Sequence, residues 1–230
     1  MKIDIRGAII KNDSKWIYDF FGMESTCPAD VSNIIDKANG ENLDVNINSS
    51  GGDIFAGSEI YTALRGYSGN VNISIVGLAA SAASVIAMAG HSKISPTAMV
   101  MIHKVSTYAE GNHNALEHQA NVLKTADQSI ANAYKEKTGL TDERLLELMD
   151  HETWMNAQQA VEYGFVDEIM FDLPPTAAYA NGTLISAEAE QKLRNILKRP
   201  KKDNKDVFLM DIAKEKLNLL KIKGGYKNEI

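Results

Sequence analysis

A serine and a histidine stand at the ends of two apolar segments, where a fold could bring them together. Ser81 lies in Gly77–Ser84, a run of small residues that follows one predicted strand and begins a predicted helix. His103 closes the next apolar segment, Met99–His103. A histidine within hydrogen-bonding reach removes the proton of a serine hydroxyl and makes it a nucleophile. Taken singly, Ser81 would be a helix cap and His103 a structural histidine, so the prediction depends on the two together.

A third segment could supply hydrogen-bond donors for the same chemistry. Asn48–Asp53 reads NSSGGD and follows the alternating strand pattern of residues 43–48. Paired glycines let a backbone adopt positive φ and point its N–H groups into a cleft. The start of the helix after Ser81 also favours negative charge. Amides of this kind stabilise the oxyanion of an acyl-transfer reaction, although a Gly-Gly turn alone is weak evidence.

The elements that must position these residues alternate along the chain. Strand, glycine-containing turn and helix repeat, which predicts an α/β fold with right-handed crossovers. A long helix over 110–137 ends at Gly139, and Thr141 is expected to cap the helix that follows. The other predicted strands cover 3–10, 71–76 and 165–169, and the other predicted helices cover 29–37, 54–64, 79–89, 141–148 and 157–163.

Composition restricts the class of protein. The chain has 230 residues, of which 44% are hydrophobic and 23% charged, as in an ordinary soluble domain. No apolar run approaches the roughly 20 residues that a membrane helix needs. The first residues, MKIDIRG, carry charges where a signal peptide would be apolar, so we expect a cytoplasmic protein. The single cysteine, Cys27, cannot form an internal disulfide and is expected to be idle.

Charge divides the chain into two predicted parts. Residues 190–230 hold 12 basic and 6 acidic residues, which leaves 12 basic and 24 acidic residues in the rest. We therefore predict a domain over 1–173 and a basic extension over 174–230, with helices at 186–197 and 207–220. The acidic body argues against nucleic acid as the main substrate.

The motifs together resemble those of the proteolytic subunit of Clp protease (ClpP). That family has Asn-Ser-Pro-Gly-Gly, Gly-x-Ala-Ala-Ser, Met-Ile-His and Ala-Val-Glu-Tyr-Gly-Leu-Val-Asp in this order. Here the segments read NSSGG, GLAAS, MIH and AVEYGFVD, at residues 48–52, 77–81, 101–103 and 160–167. The likeness extends from about residue 3 to residue 170. It implies the spiral of strand-turn-helix repeats shared with crotonases, in which residues 110–137 form the handle helix.

The resemblance also implies roles for individual residues. Ser81 becomes the nucleophile and His103 the general base, while the N–H groups of Gly52 and Ala82 become the oxyanion hole. The third triad member falls on Glu152, where the family has aspartate, and Asp150 is the alternative. Ser50 stands in place of the family's proline. No metal and no cofactor are expected.

The function implied is that of a serine endopeptidase acting on proteins or peptides. NSSGG and ETWMNA look more like Clp-related proteases of phages and prophages, which would make the chain a prohead protease that processes scaffold or capsid protein, in the cytoplasm or inside an immature capsid. The family also implies rings of seven, often stacked in pairs, and an ATPase unfoldase as partner. Three alternatives stay open: a crotonase-type acyl-CoA enzyme, a Ser–Lys dyad that uses Lys104, and a catalytically idle, ring-forming structural module.

Overall fold

A computed structural model describes residues 1–171 of the chain. The strands are β1 (Lys2–Ile9), β2 (Ser25–Thr26), β3 (Leu43–Gly52), β4 (Val71–Ala80), β5 (His91–Ile94), β6 (Met99–Ile102), β7 (Thr153–Asn156) and β8 (Glu168–Ile169). The α-helices are α1 (Lys15–Phe21), α2 (Pro28–Ala38), α3 (Ile54–Arg65), α4 (Ala82–Ile86), α5 (His113–Thr138), α6 (Asp142–Asp150) and α7 (Ala157–Glu162). Short 3-10 turns cover Asn12–Ser14 and Ala87–Ala89.

One largely parallel sheet organises these elements. Its strand order is β2-β1-β3-β4-β5-β8, and β6 also pairs with β4. Strand β4 changes partner along its length, because Asn72–Ile75 pair with β5 whereas Leu78–Ala80 pair with β6. Strand β7 then adds to β6 in antiparallel register. The change of partner brings the carboxyl ends of β3, β4 and β6 to one place, and each of these strands ends beside a predicted site residue.

The core lies between this sheet and the helices that cover it. Alternate side chains of the strands point to opposite faces, so the buried face of each strand is a row of branched aliphatic residues. Each such side chain contributes roughly 1.5–3 kcal/mol when fully buried. Among the fully buried side chains are Ile3 and Ile5 of β1, Val45 and Ile47 of β3, Ile73 and Ile75 of β4, Ile60 of α3 and Tyr134 of α5.

Local sequence signals set the ends of the long helix and its neighbour. The Asn112 side chain accepts a hydrogen bond of 3.1 Å from the N–H of Ala115, and Gly139 ends α5 in the left-handed conformation. The predicted cap of the next helix is confirmed, since the Thr141 hydroxyl accepts a bond of 3.3 Å from the N–H of Arg144. The predicted α/β class with one long helix is confirmed as well.

Several predicted elements differ from those observed. Residues 49–52, predicted as a loop, are the end of β3, because β1 continues to pair with them. The helix predicted over 79–89 begins only at Ala82, because Leu78–Ala80 remain in β4 and pair with β6. Helix α1 and strand β5 were not predicted at all.

Part of the sequence prediction lies outside the described residues. The basic extension over 174–230 and its helices at 186–197 and 207–220 belong there, and the domain boundary stays a prediction. Within residues 1–171, no helix is long and apolar enough to span a membrane.

Candidate active site

Ser81 occupies a sharp turn between β4 and α4. Its backbone has φ 55° and ψ −127°, a conformation that costs a residue with a side chain of order 1–3 kcal/mol. Two hydrogen bonds hold the turn: the Ser81 N–H donates to the carbonyl of Met101 at 3.0 Å, and its own carbonyl accepts from the N–H of Ser84 at 2.9 Å. The turn keeps the Ser81 side chain half-exposed while the helix after it is buried.

His103 directly follows β6 and meets the serine. Its Nε2 lies 2.8 Å from the Ser81 Oγ. If the neutral ring accepts the serine proton at Nε2, its Nδ1 must carry the other proton and needs an acceptor. Within residues 1–171, the bond to Ser81 is the one side-chain hydrogen bond that His103 makes. The structure therefore places the nucleophile and base predicted from sequence within proton-transfer distance.

Gly51, the first glycine of the pair at the end of β3, lies against this turn. A Cβ atom on Gly51 would stand 2.6 Å from the carbonyl oxygen of Ala80 and 2.7 Å from the Ser81 Cβ, so only glycine permits the approach. The N–H of Asp53 donates to Ile9 of β1 at 2.8 Å. Gly52 lies directly beside β1, because a Cβ atom on it would meet the backbone of Ile9.

Ala82 supplies the second amide expected at the site. It is the first residue of α4, and the first N–H groups of a helix have no acceptor within the helix. With Gly52 on the neighbouring strand end, it forms the pair of residues that sequence analysis assigned to the oxyanion hole.

The structure does not bring the third predicted member to His103. Glu152 follows α6 with φ 46°, is exposed, and its Oε1 accepts from the indole N–H of Trp154 at 3.2 Å. Strands β6 and β7 pair Ile102 with Thr153, so one further step of the same register would set Glu152 across from His103. The positive φ of Glu152 ends the ladder before that step.

The alternative third member has a different partner. The Asp150 carboxylate accepts from the ammonium of Lys104 at 2.6 Å, and this hydrogen bond and charge hold the pKa of Asp150 below its usual range. The same pair bears on the Ser–Lys alternative, because Lys104 is exposed and bonded to Asp150 rather than to Ser81.

A cleft opens beside Ser81 and His103. Its volume is about 290 Å³. Its apolar lining comes largely from α5. The rest of its lining includes the start of α3 and residues that precede it in the sequence. Residues that line it include Val105, Val122, Leu123, Ala126 and Ile130 on the apolar side, and Lys11, Asp53 and Phe55 on the other. The apolar residues of its lining suit an apolar side chain of a bound peptide.

Three polar residues next to the site were given no role in it by the sequence analysis, and Ser84 among them was expected only to pack. Ser84 and Tyr134 are both fully buried, and their hydroxyls lie 2.8 Å apart behind the Ser81 turn. Asp127 is also buried and accepts from the N–H of Val105 at 2.7 Å, which ties the segment after His103 to α5. The only available signal was a tyrosine and an aspartate near the apolar stripe of the long helix.

Other groups with reactive side chains lie elsewhere. Cys27 is buried at the start of α2, and burial is the main reason that the pKa of its thiol is raised. In the described residues, no three His, Cys, Asp or Glu side chains are grouped so that they could hold a metal ion.

Comparison with known proteins identifies the family. The family model described as Clp protease matches residues 32–172, which include Ser81, His103 and the whole of α5. The chain belongs to the Clp protease family. The ATP-dependent Clp protease proteolytic subunit of Deinococcus radiodurans is 34% identical over 142 residues, covering 60% of this chain and 69% of that protein. The protein of the same name from Bacteroides fragilis is 31% identical over 134 residues, covering 57% of this chain and 65% of that protein.

Membership of the Clp protease family agrees with the fold. Strands β3 to β8 and the whole of α5 lie in the matched segment, whereas β1 and β2 precede it. The names of the relatives describe peptidase subunits, so the family relationship indicates a peptidase.

Proposed function

We propose that this chain is a serine endopeptidase with Ser81 as nucleophile and His103 as general base. The observation that carries the proposal is the 2.8 Å contact between the Ser81 Oγ and the His103 Nε2 at the wall of the cleft. A hydroxyl held in a strained turn, with its proton acceptor in place, is prepared for attack on a bound carbonyl carbon.

The reaction follows from the positions of these groups. The Ser81 oxygen attacks the peptide carbonyl while its proton passes to His103, and the N–H groups of Gly52 and Ala82 bind the oxyanion that forms. His103 then gives the proton to the leaving amine, and water releases the acyl group from Ser81. Losing one oxyanion donor would cost about 100–1,000-fold in turnover.

Labelling with a fluorophosphonate probe tests the nucleophile. The wild-type chain should be labelled, and Ser81→Ala should abolish labelling. Ser129→Ala is the matched control, because Ser129 lies exposed on α5 and donates only to the carbonyl of Thr125 at 2.9 Å. Labelling that survives Ser81→Ala, or an unlabelled wild type that is folded and assembled, would refute the assignment.

For the third triad member we retain Glu152, whose carboxylate would turn from Trp154 to the Nδ1 of His103. Glu152→Gln should then lower kcat for a fluorogenic peptide by about 100- to 10,000-fold, because the imidazolium loses its orienting charge. Asp150→Asn should have a small effect, since it breaks an ion pair with Lys104 that is exposed to solvent and screened by it. A larger loss from Asp150→Asn would assign the role to Asp150.

As natural substrate we propose scaffold or capsid protein of a phage or prophage. The support is the likeness of NSSGG and ETWMNA to phage-type Clp-related proteases, together with the basic residues of the C-terminal part. Mass spectrometry of the wild-type protein and of Ser81→Ala, each mixed with candidate capsid and scaffold proteins, would identify the cleaved bonds. Cleavage by both proteins alike, or by neither, would count against this substrate.

We further propose that the chain assembles into rings of seven, single or stacked, and works with an ATPase. The support is family membership and the words "ATP-dependent" in the names of the relatives. Light scattering on the purified full chain should give a mass near seven or fourteen times 25.2 kDa. A stable monomer at micromolar concentration would contradict the ring.

A further inference from the structure

A chain of two buried hydroxyls ends on the peptide group of the nucleophile. The Ser84 Oγ donates to the carbonyl oxygen of Ser81 at 2.6 Å and lies 2.8 Å from the hydroxyl of Tyr134. A carbonyl has no proton to give, so the single proton of Ser84 is committed to Ser81. The hydroxyl of Tyr134 must therefore donate to Ser84, and the direction of the chain is fixed.

The carbonyl oxygen of Ser81, which accepts the last of these hydrogen bonds, shares its peptide group with a proposed oxyanion donor. The carbonyl of Ser81 and the N–H of Ala82 are the two ends of one peptide unit. Hydrogen bonds in a chain polarise one another, each bond strengthening the next by about 10–30% in a low-dielectric interior. Donation to the Ser81 oxygen draws electrons toward it and leaves the Ala82 N–H a stronger donor to any oxyanion beside it.

The tyrosine remains a donor whenever the protein is folded. Tyr134 is fully buried on α5, and burial raises the pKa of its phenol well above its ordinary value of 10.0. The phenol ring packs edge to face against Phe165, with ring centroids 5.5 Å apart, so its position does not depend on the hydroxyl. Phenylalanine would fill the same space, and packing alone therefore gives no reason for a hydroxyl here.

We infer that Tyr134 and Ser84 are positioning residues for the reaction proposed above: they hold the strained Ser81–Ala82 peptide and strengthen its N–H as an oxyanion donor. The inference rests on the proposed function, because it needs an oxyanion to act on. Both side chains are fully buried. Their effect passes through one amide and should appear only where negative charge develops.

The size of the effect follows from the bond it modulates. Removing an oxyanion donor costs about 100–1,000-fold, and the two hydroxyls strengthen that bond by about 10–30%. Polarisation alone then accounts for about a 2- to 8-fold change in kcat. KM for a peptide substrate should stay the same, because the ground-state carbonyl carries little charge.

The test compares Tyr134→Phe and Ser84→Ala with Tyr61→Phe and Ser129→Ala in the assembled full chain. The two control residues carry hydroxyls outside the site: that of Tyr61 donates to Glu136 at 3.3 Å, and that of Ser129 donates to Thr125. Each variant is measured for kcat and KM, and for inhibition by a peptide boronic acid, whose tetrahedral adduct places an oxygen at the oxyanion position.

The expected result is a 2- to 8-fold fall in kcat for both test variants, with unchanged KM and an equal loss of boronate affinity. The double variant should lose no more than Ser84→Ala alone, because the tyrosine acts through the serine. Should Ser84→Ala fail to fold, Tyr134→Phe carries the test by itself. Equal kcat in test and control variants, or a loss confined to KM, would overturn the inference. An inactive wild type would instead overturn the proposed function.

Discussion

Replacing Gly51 with alanine measures how closely β3 approaches the nucleophile turn. Gly51 has φ 91°, and its added Cβ would meet the Ala80 oxygen at 2.6 Å, the Ser81 Cβ at 2.7 Å and the Ala82 nitrogen at 2.9 Å. Two of these three atoms are backbone and the third is fixed to it, so no flexible side chain can move aside. The alanine must displace either β3 or the turn.

The cost has two parts that a control variant separates. Left-handed φ costs alanine about 1–2 kcal/mol, and forcing an extra carbon into a packed site costs about 1–3 kcal/mol. Gly51→Ala should therefore lower the free energy of unfolding by roughly 2–5 kcal/mol. Gly139 has φ 72° but no atom within 4 Å of its added Cβ, so Gly139→Ala should show the first part alone.

Urea unfolding, monitored by tryptophan fluorescence, gives the loss in the free energy of unfolding for each of the two variants. Fluorophosphonate labelling rates give the consequence for chemistry, and we expect Gly51→Ala to be labelled much more slowly while Gly139→Ala is labelled at the wild-type rate. Equal losses of stability in the two variants, with equal labelling, would show that the turn and β3 are not in contact and would refute the reasoning.

Two further predictions concern the scaffold around α5. Burial alone would raise the pKa of Asp167, but hydrogen bonds from Lys137 and Ser92 hold it below its ordinary value of 3.8, so its carboxylate stabilises the fold above about pH 4 and less as the pH falls. Asp167→Asn should cost roughly 1 kcal/mol at pH 7, because the carboxylate is partly exposed and solvent screens its ion pair, and a difference from wild type that does not narrow by pH 3 in urea titrations would contradict this. Phe165→Ala empties a fully buried site beside Tyr134 and should cost about 3–5 kcal/mol by the same measurement, whereas a loss under 1 kcal/mol would show that the site collapses.

The parts of the fold that sequence predicted are those with strong local patterns. Leu43–Asn48 alternates strictly, and the long helix has both an apolar stripe and a terminal glycine, so both elements appear nearly where expected. Helix α1 was missed because none of its residues is buried. Its aromatic residues Trp16 and Phe20 are exposed, so its sequence lacks the apolar periodicity that predicts a helix packed on a core. Strand β5 was missed because four residues are too few to show alternation.

The candidate site was predictable to the extent that it follows strand ends. Ser81 and His103 each close a strand, and parallel strands bring their ends to one edge, so the contact of the two residues follows from topology. The orientation of Glu152 did not, because it depends on a positive φ in the turn after α6 that a glutamate does not signal. The hydroxyl pair of Ser84 and Tyr134 could not be predicted either, since the two residues meet only through tertiary packing.

Helix α5 both lines the cleft and contributes side chains to the core. Val122, in its first half, lines the cleft and is 43% exposed. Ala126 and Ile130, in its second half, line the same cleft, whereas Tyr134 further along is fully buried behind the nucleophile. Exchanging Val122 should therefore change which peptides are accepted and leave the hydrogen bond between Ser84 and Tyr134 in place, so the exposed cleft-lining positions of α5 are where selectivity can be redesigned.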